Sequence, residues 1–566
     1  MPARRLFRRL LRVLLALAVL LLIGVAWFAW TVHVSDPLEK SEAAVVPART
    51  LGEDGRWHVG RNWLGHDSIG LHEAYIEGEA LERGLAYGSL AREPIARQEE
   101  IFVGRLREMV PGAMRLDYLK YFTAWYNRDL DAHVPREYLR EIHGVSRSFS
   151  DEYDFVGPKY QRALNYHAAH DIGHALTDLA MVGCTSFAAR AGCTADGGLL
   201  VARNFDFWMG DEFAHEKLVL FVKPEQGIPH AMVGWGGFMG AVSGMNLEGL
   251  TVTINAARSQ LPLGARTPIA ILTRDILQHA ATITEAVAIA GKHEVFVSES
   301  ILVASARDGR AVIIEKAPGG MDVFDPDEEV VVCANHYQSG HFRDSEANTA
   351  NIRESDSMAR FKRMMQLVDS AGALDPSRAA AILRDRKGVD GQPIGLGNPM
   401  AINQLIAHHA VIMQPESRRL WVSAWPYQIG AFACYDLRAV FARCASGELN
   451  GPIRDTTSTI AADPFLGSSG FTEHQWWQQQ RARIAASAMS GAPMALSEAE
   501  ERRFIAAAPD SYITRMALGD LYRAQRAHRA AALHYTKALM LPVASAQERL
   551  RLEERLRACT LAAVSE

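Results

Sequence analysis

At 566 residues the chain is too long for one compact core, so three or four parts are expected. A net charge of -5 leaves no basic footprint for nucleic acid, and 48% hydrophobic with 22% charged residues is ordinary globular composition. No Walker loop, dinucleotide fingerprint, G-x-S-x-G elbow or CxxC pair occurs.

The N-terminus comes first. Arg4, Arg5, Arg8, Arg9 and Arg12 precede an uncharged apolar run over residues 13–32. About twenty such residues cross a hydrocarbon core as a helix. The basic flank stays in the cytoplasm, which places the rest on the periplasmic or extracellular side of an inner or plasma membrane. A cleaved signal peptide is the rival reading. The run ends in Trp27, Phe28 and Trp30 rather than in small residues, which favours a retained single-pass anchor over residues 1–34.

Residues 35–183 read as a spacer and a mostly helical proregion, with a strand-like stretch from Gly70 to Ile76. From Cys184 the texture changes to short β runs joined by turns. Thr185 to Arg190 and Leu199 to Phe207 flank Ala195-Asp196-Gly197-Gly198, a hairpin signal. Leu250 to Asn255 is a further run. Ile301 to Ala304 with Ala311 to Glu315, and His409 to Met413 with Leu420 to Ala424, form two more hairpins. Helical stretches lie near Pro268 to His293 and Ser357 to Ala371. Such interleaving predicts a layered α/β sandwich of mainly antiparallel strands over 184–445. Residues 446–496 read as a linker. Ser497 with Glu500 makes a capping box that opens a helical tail over 497–566. Leu518, Gly519, Tyr522, Ala531, Tyr535 and Ala538, with Pro542 beyond, follow the tetratricopeptide pattern, which makes the tail a candidate surface for a protein partner.

Of the six cysteines, Cys434 and Cys444 are spaced so that they could pair; Cys184 stands apart for chemistry. It follows Gly183 and opens a β run, and Arg203-Asn204-Phe205-Asp206 returns on the adjacent run. If the bond after Gly183 breaks, the new α-amine sits beside its own thiol. That amine has an unperturbed pKa of about 7.7, close to ambient pH, so it can act as general base for a strong nucleophile. Gly183, lacking a Cβ, tolerates the strained geometry that attack on its carbonyl requires.

Gly183-Cys184-Thr185-Ser186 followed by Arg203-Asn204-Phe205-Asp206 resembles the self-processing acyltransferases typified by penicillin acyl-coenzyme A:6-aminopenicillanate acyltransferase. More distantly it is similar to choloylglycine hydrolases and acid ceramidase. Met245-Asn246-Leu247-Glu248-Gly249-Leu250 leading to Asn255, Asn335-His336, and Ser357-Met358-Ala359-Arg360-Phe361 resemble later motifs of that family in the expected order. The segment from Gly70 to Gly88 resembles its proregion. The resemblance implies a four-layer αββα N-terminal-nucleophile sandwich and autocleavage between Gly183 and Cys184. Its implied activity is amide hydrolysis or acyl transfer on a small N-acyl or acyl-thioester substrate, with no cofactor and no metal. The implied roles are Cys184 as nucleophile, Asn255 as oxyanion donor and Asp206 as holder of the α-amine. Arg203 and Arg360 bias the thiol toward thiolate, and Asn335 orients nucleophile or substrate.

Three competing readings were open at this level. Cys193, in Gly192-Cys193-Thr194, is a rival nucleophile. His167, His170 and His174 share one helical face, as a metal-dependent hydrolase would need, but no nearby Glu or Asp completes a known zinc pattern. A non-catalytic membrane scaffold would use the tetratricopeptide-like tail alone.

Overall fold

The computed structural model describes residues 2–38, 44–109, 113–169, 171, 183–258, 264–490 and 494–565. Runs of alternating inward residues pair into two sheets, because period-2 side chains can bury one face against a partner sheet and the other against helices. The first sheet begins with β1 (Thr50–Leu51), β2 (Trp57–Val59), β3 (Asn62–His66) and β4 (His72–Gly78). The chain then supplies β5 (Thr185–Ala189) and β6 (Leu200–Phe205) to the second sheet. It returns to the first for β7 (Lys217–Pro224), β8 (His230–Trp235), β9 (Ser243–Asn246) and β10 (Leu250–Ala256). β11 (Glu299–Ser305), β12 (Arg310–Ala317) and β13 (Gly320–Phe324) complete that sheet. β14 (Val330–Cys333), β15 (His409–Gln414), β16 (Arg419–Ser423), β17 (Phe432–Asp436) and β18 (Asp455–Ile460) fill the second.

Among the described residues the first sheet has eleven strands in chain order with β5 and β6 left out, and the second runs β14-β5-β6-β15-β16-β17-β18. Every neighbouring pair is antiparallel except β4 with β7, which is parallel. The mixed α/β character expected from the sequence is therefore present. Tyr75, Phe221, Val233 and Leu302 of the first sheet pack against Ala188, Val201, Met413 and Val422 of the second. The outer face of the first sheet (Ile76, Leu220, Ile254) is covered by the helices Ala80–Leu90, Arg136–Ser146 and Ile269–His279. That of the second (Phe187, Ala202, Ile412) is covered by the helices Ser357–Ser370 and Pro376–Leu383.

The hairpins fall where turn chemistry and alternation put them. β5 pairs with β6 from Thr185↔Asn204 to Ala189↔Leu200, and β11 with β12 through Ile301↔Ile314. β15 and β16 pair through Val411↔Val422. Two stretches differ from the reading of the sequence. Residues 50–66, in the spacer and mostly helical proregion, hold three strands beside the expected one at Gly70 to Ile76, because β3 pairs onto β4, whose own partner β7 lies far along the chain. Such a partner leaves no local periodicity to read. Residues 446–496, read as a linker, hold β18 and the helix Ser469–Ser490, whose Trp477 is buried and stacks on Phe504 at 5.9 Å. One large aromatic outweighs the polar, small-residue composition around it.

The Ser497–Glu500 capping box forms at the start of the helix Glu498–Ala507. Beyond it, Gly519 lets the helix Tyr512–Ala524 approach the helix His528–Leu539 so closely that a Cβ there would lie 2.5 Å from the Tyr535 ring. All six cysteines are free: Cys434 packs toward the helical cover of the second sheet and Cys444 between the sheets. At the N-terminus, Phe7–Thr31 is the one helix among the described residues long and apolar enough to cross a membrane; its apolar stretch is exposed, and Trp27 and Phe28 near its end meet Trp125. A membrane span and an export signal share those properties.

Candidate active site

Cys184 is the residue immediately before β5. Pairing of Ser186 with Arg203 puts Cys184, Ser186 and Arg203 on the face of the second sheet that meets the first. Arg203 is fully buried, and its fork is held by the first sheet: Nη1 donates to Val242 O at 2.7 Å and to Ser243 Oγ, and Nη2 to Ile254 O. Nη2 also lies 3.6 Å from Cys184 Sγ. Burial pushes the thiol up from its ordinary value, Arg203 pulls it down, and Asp206 and Glu299 push it further up. In the intact chain, then, Cys184 is held as a thiol despite its arginine.

Ser243 Oγ also meets His409 Nε2 at 2.9 Å, and His409 Nδ1 meets His408 Nδ1 at 2.8 Å. Burial holds both imidazoles well below the ordinary range, so both are neutral. The two histidines are thus the outer end of the bracing on Arg203.

Arg360 grips the backbone rather than the thiol. It lies in the first turn of the helix Ser357–Ser370, fully buried, and its Nη1 donates to Cys184 O at 2.8 Å and Thr185 Oγ1 at 3.0 Å. Its Nη2 donates to Asn335 Oδ1 at 3.0 Å and Asp356 Oδ1 at 2.7 Å. Asn335 Nδ2 in turn donates to Ala256 O at 2.8 Å, tying β14 to the end of β10. Ser357 Oγ accepts from the Asn335 backbone N–H at 2.8 Å and meets His336 Nδ1 at 2.8 Å, so the motifs at 335–336 and 357–361 meet as one unit. Asn255 bridges the two sheets: Oδ1 accepts from Ser186 Oγ at 3.0 Å and Nδ2 donates to Cys333 O at 3.1 Å.

Asp206 follows β6. Its carbonyl accepts the Gly183 N–H at 3.1 Å, and its carboxyl is fully buried. Burial pushes that carboxyl up to about 8, against the pull of Arg360 and Arg203. Oδ1 has no partner among the described residues.

The residue that motif reading missed is Gln404. Its Nε2 donates to the Gly183 carbonyl oxygen at 2.8 Å and lies 3.4 Å from Asp206 Oδ2. No spacing rule links it to Cys184. It also gives the glycine at 183 a different cause from the expected backbone strain. Gly183 is not among the positive-φ residues, but a Cβ there would stand 2.3 Å from Gln404 Nε2.

Of the competing readings, Cys193 sits 3.5 Å from the Glu329 carboxylate, which with burial keeps its thiol protonated. His167 is buried, with Nδ1 donating to Ala163 O at 2.7 Å and Nε2 accepting from Met239 N–H at 2.9 Å. His170 and His174 lie outside the described residues. Among the described residues no cluster of three or more His, Cys, Asp or Glu could hold a metal ion. A cleft of about 520 Å³, counted with its open mouth, adjoins Phe207 and is walled by Phe102, Phe149, Phe213, Trp235 and Phe238.

Residues 193–392 match the acyl-coenzyme A:6-aminopenicillanic acid acyl-transferase family. The acyl-transferase match begins just beyond Cys184 and takes in Arg203, Asp206, Asn255, Asn335 and Arg360. An uncharacterized protein of Archaeoglobus fulgidus is 22% identical over 365 residues, 57% of this chain and 59% of that one. Protein dcd1B of Dictyostelium discoideum is 23% identical over 253 residues, 39% and 45% respectively. The chain thus spans about half the length of the curated relatives it matches. Among solved structures, a Caenorhabditis elegans N-acylethanolamine-hydrolyzing acid amidase ortholog is 18% identical, with 41% of this chain and 93% of that one covered at a TM-score of 0.30. Penicillin V acylase from Agrobacterium tumefaciens is 15% identical, with 45% and 91% covered, also at 0.30. Overlap at that level fixes neither the fold nor the chemistry.

Proposed function

We propose that the chain is a self-cleaving cysteine amidohydrolase or acyltransferase of the N-terminal-nucleophile type, acting on N-acyl substrates through a Cys184 acyl-enzyme. One observation carries the reading. The Gly183–Cys184 peptide is held at both carbonyls, by Gln404 on one side and Arg360 on the other, while Cys184 Sγ faces a buried arginine. A structural cysteine has no use for that combination.

Cleavage after Gly183 frees an α-amine on Cys184. Asp206, with a buried carboxyl oxygen that has no partner among the described residues, is the group to receive it. The new ammonium stabilises the Asp206 carboxylate and drops its pKa, and the uncharged amine takes the thiol proton as substrate arrives. Arg203 stabilises the thiolate, and Arg360 with Asn335 holds the nucleophile's backbone. Asn255 donates to the developing oxyanion by exchanging its bond to Cys333 O, a contact worth about 3–4 kcal/mol in comparable sites. The aromatic cleft beside Phe207 suits an apolar acyl group, and water is the acceptor to hand outside the cytoplasm.

In this reading residues 1–34 anchor the chain, 35–183 are a proregion and 184–445 form the catalytic αββα unit. Residues 446–496 connect it to a tetratricopeptide-like tail over 497–566, which presents a surface for a protein partner. The decisive measurement is intact mass with N-terminal sequencing, beside Cys184→Ala. Scaled by residue count from 62.3 kDa, wild type yields pieces of about 20 and 42 kDa, the larger beginning at Cys184, and the variant stays whole. A mature wild-type chain that stays whole removes the amine base and leaves the membrane-scaffold reading.

A further inference from the structure

The group that stabilises the oxyanion of self-cleavage must act before the α-amine exists, and so need not be the group that serves turnover. We infer that Gln404 is the oxyanion donor of the self-cleavage step, an inference that rests on the proposed function and assigns a residue outside the acyl-transferase match.

Gln404 is 4% exposed, and both acceptors near its Nε2 are named: Gly183 O at 2.8 Å and Asp206 Oδ2 at 3.4 Å. A carbonyl oxygen can only accept, so Gly183 O takes the NH2 end of the Gln404 amide. The backbone that carries it is clamped on both sides. Asn204 Nδ2 donates to Ile402 O and to Leu383 O at 2.9 Å, Asn403 N–H to Asp385 O at 2.8 Å, and His408 N–H to Phe205 O at 2.9 Å. Next in the chain, Leu405 is buried with φ of 56°, a left-handed conformation that a leucine keeps only where the surroundings impose it. Asn403 Oδ1 accepts the Leu405 N–H at 3.0 Å and holds that bend. The four residues Arg203-Asn204-Phe205-Asp206 therefore serve one peptide bond: Arg203 reaches the thiol, the Asn204 side chain and the Phe205 carbonyl fix the loop of Gln404, and Asp206 meets both Gln404 and Gly183.

Cys184 Sγ adds to the Gly183 carbonyl carbon, and the carbonyl oxygen takes the negative charge against the Gln404 N–H. The Gly183 C–Cys184 N bond then breaks, the thiol proton ends on the Cys184 nitrogen, and Gly183 is left as a thioester on Sγ. Water hydrolyses the thioester, releasing the Gly183 carboxylate and restoring the thiol. A preorganised amide donor at such an oxygen is worth about 10²–10³ in rate.

The test follows pulse-labelled full-length chains by mass: wild type, Cys184→Ala, Gln404→Met, which keeps the volume and removes the donor, and Gln404→Asn, which keeps an amide one methylene short. The expected result is cleavage slowed about 10²–10³-fold in Gln404→Met and by less in Gln404→Asn. Added hydroxylamine, which captures thioesters, leaves the Gln404→Met rate low, because the thioester itself forms slowly. Melting of Cys184→Ala beside Cys184→Ala/Gln404→Met controls for folding; if Gln404→Met does not fold, Gln404→Asn alone decides. Cleavage at the wild-type rate in the folded variants, or full rescue by hydroxylamine, overturns the assignment and leaves the proposed function standing. A wild-type chain that stays whole overturns the proposed function itself.

Discussion

Arg203 Nη2 lies 3.6 Å from Cys184 Sγ, and the rest of the Arg203 fork is spent on carbonyls of the opposite sheet. The guanidinium is thus part of the joint between the sheets as well as the nearest charge to the thiol. Arg203→Ala takes the donor from the buried Ile254 carbonyl, at a cost of about 1–3 kcal/mol, while Val242 O keeps the Ile254 N–H at 3.3 Å. Arg203→Lys keeps the charge but not the fork. In the processed enzyme, the pH midpoint for alkylation of Cys184 by iodoacetamide should move upward in Arg203→Lys. An unchanged midpoint would show that Arg203 does not tune the thiol.

Arg360 is expected to behave differently, because it holds the Cys184 carbonyl and Asn335 rather than sulfur. Arg360→Lys should lower kcat about 10²-fold through misplacement of the nucleophile. The alkylation midpoint of Cys184 should stay near that of wild type. A variant that shifted the midpoint and spared kcat would reverse the division of labour between the two arginines.

Asp206 makes stability of the uncleaved chain depend on pH. Its folded value of about 8 lies above the ordinary carboxyl value of 3.8. Between the two, the native state keeps a proton that the unfolded chain has lost, so this contribution is fully present below about pH 4 and is lost as pH rises toward 8. Melting temperatures of Cys184→Ala should therefore fall over that window more steeply than those of Cys184→Ala/Asp206→Asn. Parallel curves would mean that the carboxyl is already ionised in the precursor.

Gly183→Ala tests the close approach rather than backbone strain. The added Cβ would stand 2.3 Å from Gln404 Nε2, so the amide must swing off the carbonyl it serves. Cleavage should slow by about two orders of magnitude, as expected for loss of one oxyanion donor. A melting temperature close to that of Cys184→Ala would show that the effect is local. Cleavage at the wild-type rate would mean that Gln404 has room to follow.

Asn255→Ala removes the inter-sheet bridge from β10 to Ser186 and Cys333 along with the proposed donor for turnover. Amidase kcat on the processed enzyme should fall about 10²–10³-fold. A change confined to KM would assign Asn255 to substrate binding instead.

Much of the catalytic unit was legible because its signals are local. The hairpin of β5 and β6 follows from two alternating runs around Asp196-Gly197-Gly198, and its register alone puts Arg203 beside the face of Cys184. The strands β1 to β3 and the helix Ser469–Ser490 were not legible. The former are stabilised by the parallel pairing of β4 with β7, and the latter by Trp477 stacking on Phe504. Both are contacts that a local window does not contain.

By itself the sequence singled out the candidate residues and the order in which they come: Gly183-Cys184, Arg203 to Asp206, Asn255, Asn335 and Arg360. The tertiary structure alone decided their division of labour. Arg203 turned to the thiol and Arg360 to the backbone because their strand and helix approach Cys184 from opposite faces of the second sheet. Gln404, 221 residues from Gly183, reached its carbonyl because Asn204 pins the intervening loop to β6. A hydrogen bond of that span is set by how sheets and loops pack, and packing leaves no periodic trace in the chain.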